Sequence, residues 1–253
     1  MQRRCSVIQF LVVAACFFAP MIAAAEERVS LPTRSGVTET IIFDPASQPV
    51  ASVLLFPGGN GVIAEEPENF VLRVRGMFAA QGLSVAAIDT PSDHAGGIPI
   101  DFRNSPAAVE DAAAAVAFLR SKAAVPVWLL GTSNGSVSAA NAAAHLPAGQ
   151  IAGVVLTSSV WTGGMNLATL GAIAVPVLIV HNRDDACRIS GFGGTAAALD
   201  ALTKAPAKEL LAVSGGRSVS PPCKARSPHG YYGIEDTVVP PVIAWIKAHN
   251  PAP

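Results

Sequence analysis

The sequence carries little charge and shows no clustering of one sign. Only 14% of its 253 residues are Asp, Glu, Lys or Arg, the formal net charge is −1, and no basic or acidic run occurs. A surface that binds nucleic acid or an anionic membrane needs clustered cations, so neither is expected as a partner. A small, largely uncharged ligand fits this composition better.

The sequence also lacks internal repeats and low-complexity linkers. Its length and its 51% apolar content are enough for one domain with a large core. We therefore expect a single domain over residues 26–253 and favour a monomer.

The apolar segment near the N-terminus is too short to span a bilayer comfortably. It covers residues 7–19, follows two arginines and precedes three alanines at 23–25. This pattern is typical of a secretory signal peptide, so we expect removal of residues 1–25, export to the periplasm or the medium, and no membrane attachment afterwards. A lipoprotein signal that leaves Cys16 lipidated is the alternative.

Cysteine is scarce, since the chain has four and two of them, Cys5 and Cys16, lie in the predicted signal peptide. The remaining pair, Cys187 and Cys223, would meet an oxidising compartment after export. That setting favours a disulfide between them. Two separately buried thiols are the alternative.

Apolar runs alternate with helix-compatible segments along the rest of the chain. Strands are expected at 28–31, 38–43, 50–56, 83–88, 125–130, 151–156, 175–180 and 209–213, the first two as antiparallel edge strands. Helices are expected at 67–81, from Ser105 and Pro106 onward, and at 136–145, 195–202 and 235–248. This alternation predicts an α/β fold with a mostly parallel central sheet and helices on both faces. The connection 157–174 leaves no room for a cap domain.

A G-x-S-x-G motif joins one of these strands to the next helix. Its residues are Gly131, Ser133 and Gly135, and the two glycines avoid side chains that would collide in so sharp a turn. The turn lifts Ser133 clear of the sheet, while the N–H of Asn134 and the start of the helix point at any developing oxyanion. We interpret Ser133 as a nucleophile for acyl transfer.

Such a serine needs a base, and the chain has five histidines. His229 follows the last strand with Gly230 behind it, so its ring can reach the sheet edge, and it is the predicted base. The other four are expected elsewhere: His145 and His249 at the surface, His181 packed beside a loop, and His94 on a separate loop.

The base in turn needs a carboxylate, and Asp184 and Asp185 both follow the strand at 175–180. Asp185 is the predicted partner because it lies beside Cys187, whose disulfide would tie this loop to the loop of His229. Asp184 is then expected to be solvated or paired with a neighbouring arginine. Asp93 and His94 lack a third ligand at compatible spacing, so no metal is expected, and no organic cofactor either.

Together these residues resemble the α/β-hydrolase superfamily. The resemblance rests on the G-x-S-x-G turn at 131–135, here called the elbow, and on the turn Phe56-Pro57-Gly58-Gly59. It also rests on the loop that contains Asp184 and Asp185, on His229-Gly230, and on the chain order Ser, Asp, His. It implies an oxyanion hole made by the N–H of Asn134 and one N–H from Gly59 or Asn60. The family often has His-Gly where this chain has Pro57-Gly58, which leaves the choice between these two amides open.

The function expected from these features is hydrolysis of a carboxylic ester, small or in an accessible polymer, through an acyl-enzyme on Ser133. Thioesterase, amidase, polyester hydrolase and acyltransferase activities would use the same triad, and a non-catalytic binding protein on this scaffold is a further alternative. The acyl chain length stays open. It depends on pocket residues expected to include Val62, Trp161, Met165 and Tyr231.

Overall fold

The computed structural model describes residues 26–251, so the predicted signal peptide at 1–25 lies outside the described residues. The strands are β1 Glu27–Arg34, β2 Val37–Asp44, β3 Ala51–Phe56, β4 Leu83–Ile88, β5 Val127–Thr132, β6 Gly153–Thr157, β7 Val177–Asn182 and β8 Lys208–Val213. The α-helices are α1 Phe70–Ala80, α2 Ile100–Arg103, α3 Pro106–Lys122, α4 Asn134–His145, α5 Leu167–Ala172, α6 Thr195–Ala201 and α7 Glu235–Ala248.

The strands form one sheet in the order β1-β2-β4-β3-β5-β6-β7-β8. All pairs from β4 to β8 are parallel, and β1 and β2 add an antiparallel start, as predicted. The expectation that β2 is also an edge strand is wrong, because β2 pairs with both β1 and β4. Its successive residues Ile41, Ile42 and Phe43 are all buried, which is the pattern of an interior strand.

Helices cover both faces of the sheet, as predicted. Helices α1 and α7 pack on one face, and α3 to α6 pack on the other. The apolar run of β5 is continuous because both of its faces are covered. Trp128 and Leu130 face α1 and α7, whereas Leu129 faces α4. Each such fully buried side chain contributes about 1.5–3 kcal/mol through removal of apolar surface from water.

Two helix starts depend on local hydrogen bonds. Helix α3 starts after Ser105, whose hydroxyl accepts from the N–H of Ala108 at 3.2 Å, as its Ser-Pro sequence predicts. Helix α1 begins at Phe70 rather than residue 67, because the N–H of Asn69 closes a turn onto the carbonyl of Glu66 at 2.9 Å.

No cap domain is present within residues 26–251. The connection from β6 to β7 contains only α5, a helix of 6 residues. No helix in this part of the chain combines the length and the apolar character needed to cross a membrane.

Candidate active site

Strand β5 passes into α4 through the single residue Ser133. Its φ of 51° and ψ of −127° are rare for a residue with a side chain and store strain of order 1–3 kcal/mol. Hydrogen bonds hold this conformation: the N–H of Ser133 donates to Thr157 O at 3.0 Å, and the N–H of Ser136 donates to Ser133 O at 2.9 Å. The structure therefore places the sharp strand-to-helix turn at the predicted residue.

The glycines of the elbow are required by close packing. A Cβ on Gly131 would overlap the carbonyl of Gly135, and a Cβ on Gly135 would overlap the carbonyl of Phe56. Neither glycine has a positive φ, so these positions require glycine for its lack of a side chain and not for its backbone freedom. Any side chain here would separate β5, α4 and the loop after β3.

His229 and Asp185 are in direct contact. Nδ1 of His229 lies 2.8 Å from Oδ2 of Asp185, and the two residues are 4% and 8% exposed. Because an ionised carboxylate only accepts, Nδ1 carries the proton and Nε2 carries the lone pair. Nε2 is buried and has no hydrogen-bond partner among residues 26–251. His229 and Ser133 line the same cleft.

No hydrogen bond joins Ser133 Oγ to His229 Nε2 in the described part of the chain. Such contacts are commonly long in unliganded enzymes and shorten when substrate binds.

The carboxylate of Asp185 is held by further donors. The N–H of Cys187 donates to Oδ1 at 2.9 Å, and the hydroxyl of Ser190 donates to Oδ2 at 2.9 Å while lying 3.0 Å from His229 Nδ1. His181 packs beside them, with Nε2 3.6 Å from Oδ2 of Asp185 and bonded to the carbonyl of Ser190. Burial lowers the pKa of His181, so it stays neutral. These contacts fix the orientation of the Asp185 carboxylate toward His229.

Asp184 lies outside this network. Its side chain is exposed, as expected, and its Oδ2 accepts from the N–H of Gly215 at 2.6 Å. The neighbouring Arg183 instead places its guanidinium 4.6 Å from the ring centre of Phe192. The partner of Asp184 is thus a backbone amide and not the arginine that the sequence suggested.

Cys187 and Cys223 are joined as a disulfide. The bond connects the loop after β7, which holds Asp185, to the loop after β8, and Cys223 itself lines the cleft. Asp185, Cys187 and His229 bring three potential metal ligands close together. Because the sulfur of Cys187 is bonded to Cys223, it is not available as a thiolate ligand.

The backbone of His229 depends on two residues whose roles the sequence did not reveal. The hydroxyl of Ser158 donates to the carbonyl of His229 at 2.6 Å, and the N–H of Ser158 donates to the Tyr231 hydroxyl at 3.0 Å. The Tyr231 hydroxyl donates onward to Val180 O at 2.8 Å. Ser158 directly follows β6 at the carboxyl edge of the sheet, and this position alone could have marked it as a candidate site residue. No sequence signal marked Ser190.

The prediction that Tyr231 shapes the pocket is wrong, because its ring is fully buried in the core. The cleft is likewise not lined by the other three predicted pocket residues. Trp161 stacks on His181 with ring centres 5.6 Å apart, Met165 packs in the core, and Val62 lies in the loop after β3.

The loop after β3 is fixed through the carbonyl of Gly59. It accepts from Asn134 Nδ2 at 2.9 Å and from Arg103 Nη2 at 3.2 Å. In a trans peptide the C=O and the following N–H point in opposite directions, so the N–H of Asn60 points away from Asn134. Gly59 lines the cleft, whereas the Asn60 side chain bonds Glu65 at 2.6 Å. Buried Arg103 thus positions this loop, and burial lowers its pKa only to about 10, so it stays charged.

The remaining histidines have other partners. His94 bonds Asp93 at 3.0 Å, and Asp93 in turn accepts from Arg34, which lowers the pKa of Asp93 to about 2. His145 is exposed, whereas half-buried His249 stacks on Trp245 with ring centres 4.1 Å apart.

Comparison with solved structures identifies the fold. The dienelactone hydrolase from Anabaena variabilis superposes with a TM-score of 0.67 and 18% identity, over 91% of this chain and 100% of that one. XC6422 from Xanthomonas campestris, described as an α/β serine hydrolase without lid, has a TM-score of 0.62 and 15% identity, over 93% of this chain and 100% of that one. The Pyrococcus furiosus esterase Pf2001 has a TM-score of 0.67 and 14% identity, over 89% of this chain and 93% of that one.

No protein-family model matches the sequence, and a search of curated proteins found no match either. The structural likenesses establish that the chain has the α/β-hydrolase fold, as the resemblance predicts.

Proposed function

We propose that this protein is a serine hydrolase that cleaves carboxylic esters through an acyl-enzyme. The observation that carries the proposal is the orientation of His229. Its Nδ1 is bonded to buried Asp185 at 2.8 Å, and its Nε2, which has no partner within residues 26–251, belongs to a ring that lines the same cleft as Ser133. A hydroxyl, an imidazole and a carboxylate in this order form a nucleophile, a base and an orienting acid.

In the proposed reaction Ser133 Oγ attacks the ester carbonyl carbon and His229 Nε2 takes the hydroxyl proton. Asp185 stabilises the resulting imidazolium. The C–O bond to the alcohol then breaks, and His229 returns the proton to the departing alcohol. A water molecule, deprotonated by His229, attacks the acyl-enzyme in the same way and releases the carboxylic acid.

The negative oxygen of each tetrahedral intermediate needs donors. We assign the N–H of Asn134, at the start of α4, and the N–H of Gly59. Gly59 is favoured over Asn60 because Gly59 lines the cleft and its carbonyl is held by Asn134 and Arg103, which turns the amide of Asn60 away.

The shape of the cleft favours small acyl groups. Its cavity volume is only about 40 Å³, and its wall contains both polar and apolar groups. No cap domain extends it within residues 26–251. Esters with short acyl chains, small or displayed on an accessible polymer, therefore fit the site best.

The proposal includes export to the periplasm or the medium. The leader-like residues 1–25 and the disulfide between Cys187 and Cys223 support it, because disulfides persist in oxidising compartments.

The test is a series of p-nitrophenyl esters from acetate to octanoate, with the wild type and Ser133→Ala. We expect turnover to be highest for the short esters and to fall to the solution background in the variant. Ser52→Ala, which removes a buried hydroxyl from β3 far from the cleft, is the control and keeps full activity. Equal turnover by wild type and Ser133→Ala contradicts the proposal. A thioester and an anilide of the same acyl group separate ester hydrolysis from its alternatives.

A further inference from the structure

The cleft contains a polar side chain that the mechanism above does not use. Asn69 stands at the N-terminus of α1, yet its side chain makes no capping hydrogen bond. The residue is only 6% exposed, and its Oδ1 is buried with no hydrogen-bond partner in the described chain. A buried carbonyl oxygen without a partner destabilises a protein, so the presence of Asn69 here needs a reason other than stability.

The amide nitrogen of Asn69 lies beside the nucleophile. A Cβ on Gly58 would be 3.2 Å from Asn69 Nδ2 and 2.9 Å from Ser133 Cβ, so these two side chains approach the same side of Gly58. Asn69 and Ser133 also line the same cleft. The absence of a side chain at Gly58 leaves the amide and the serine facing the same small space.

The chemistry of the amide suits an oxygen that gains negative charge. Nδ2 offers two N–H donors, carries no net charge and does not titrate in the range where proteins are stable. The neighbouring carboxylate of Glu66 lies 3.7 Å from Lys224 Nζ, which offsets its charge at the cleft mouth. Asn69 therefore supplies a neutral donor beside Ser133, in a cleft whose lining acid, Glu66, is paired with Lys224.

Resting on the proposed ester hydrolysis, we propose that Asn69 is a catalytic residue whose Nδ2 donates a hydrogen bond to the substrate carbonyl oxygen as Ser133 attacks. The site would then have a side-chain donor in addition to the amides of Asn134 and Gly59. The bound substrate then gives Nδ2 an acceptor, whereas the buried Oδ1 takes no part in the reaction. Loss of one such donor typically lowers kcat by about 10²–10³-fold.

The experiment compares Asn69→Asp and Asn69→Leu with wild type and the Ser52→Ala control on p-nitrophenyl acetate. Both Asn69 variants should lose about 10²-fold in kcat with KM nearly unchanged, because the donor acts mainly in the transition state. Their affinity for a boronic acid that forms a tetrahedral adduct should fall by a similar factor. Asn69→Leu should melt at the same temperature or roughly 2–4 °C higher, since it removes a buried carbonyl oxygen that has no partner within residues 26–251.

Three results overturn the inference, and they are distinguishable. If the wild type hydrolyses the ester but both variants keep its kcat, or lose kcat without losing affinity for the boronic acid, only the role of Asn69 is wrong. If activity falls in parallel with melting temperature in both variants, Asn69 is structural. If the wild type neither hydrolyses esters nor reacts with a fluorophosphonate, the proposed function fails and the role of Asn69 with it.

Discussion

The two adjacent carboxylates after β7 have opposite surroundings. Asp185 is buried and accepts hydrogen bonds from Cys187, Ser190 and His229, whereas Asp184 is exposed and accepts from Gly215. The sequence placed both at the same sheet edge and favoured Asp185 through its neighbour Cys187. Ser190 could not be found in this way, because it belongs to no motif and does not directly follow a strand.

Replacement of the buried carboxylate tests this assignment. In Asp185→Asn, the amide can donate to His229 Nδ1 and stabilise the wrong tautomer, so kcat should fall by about 10³–10⁴-fold. Asp184→Asn is the matched control and should stay within about 2-fold of wild type, as expected for an exposed side chain. Steady-state hydrolysis of p-nitrophenyl acetate measures both. A larger loss in Asp184→Asn than in Asp185→Asn contradicts the assignment.

Glu39 on β2 is a buried acid away from the triad. Its Oε2 has no hydrogen-bond partner among residues 26–251, and burial raises its pKa to about 9. The unfolded chain releases this proton near the ordinary value of 4.5. Between these two pH values the folded protein retains a proton that the unfolded chain has lost. The free energy of unfolding contributed by Glu39 therefore decreases as pH rises from about 4.5 to about 9.

Glu39→Gln should remove this dependence, because the amide does not ionise. We expect the variant to be more stable than wild type near pH 8, and its stability to fall less steeply with pH by roughly 1 kcal/mol per pH unit. Urea unfolding across this pH range measures the slope. Glu209→Gln, at an exposed position of β8, is the control. An unchanged slope in Glu39→Gln shows that Glu39 is not held neutral.

At the scale of elements, the disulfide joins the two loops that deliver the acid and the base. The 36-residue separation between Cys187 and Cys223 predicts a stabilisation of about 4 kcal/mol from loop closure. The double variant Cys187→Ser/Cys223→Ser should therefore melt about 10 °C lower, and its turnover should fall because the cleft wall around residue 223 is released.

Reductant provides the internal control for this prediction. Thermal melting of the wild type in dithiothreitol should approach that of the double variant, and the double variant should not respond to dithiothreitol. If the wild type and the double variant have the same melting temperature without dithiothreitol, the disulfide does not stabilise the fold.

Two elements were predicted at their observed bounds. Strand β4 is a continuous apolar run whose residues are all buried. Helix α7 shows the helical spacing of Val238, Val242 and Trp245 on its buried face, even though Pro240 and Pro241 lie inside it. The interior position of β2 was missed because its Thr-Glu-Thr alternation is typical of an edge strand. The short helix α2 was missed because a helix of 4 residues shows no periodicity.

At the scale of the whole molecule, the chain order of the strands brings distant residues to one edge. Ser133, Asp185 and His229 follow β5, β7 and β8, which are parallel strands in the same half of the sheet. The sequence could predict this edge from the strand pattern. It could not predict the pocket wall, since that depends on packing such as the burial of Tyr231.

Export from the cytoplasm is a separate prediction that concerns the whole chain. When expressed with its leader in a bacterial host, the protein should accumulate outside the cytoplasm with Glu26 as its first residue. Cell fractionation followed by intact-protein mass spectrometry measures this. A mass that retains residues 1–25 contradicts cleavage at this site, and a lipid-modified mass starting at Cys16 supports the lipoprotein alternative.

The central claim is that Ser133, Asp185 and His229 converge to form one active site. It is tested most directly by a fluorophosphonate, which forms a covalent bond only with an activated serine. Wild type, Ser133→Ala and His229→Ala are incubated with the reagent, digested and analysed by mass spectrometry. We predict one adduct per wild-type chain, located on Ser133, no adduct in Ser133→Ala, and labelling slowed by about 10³-fold or more in His229→Ala. An unlabelled wild type, or an adduct on a different serine, would contradict the proposed active site.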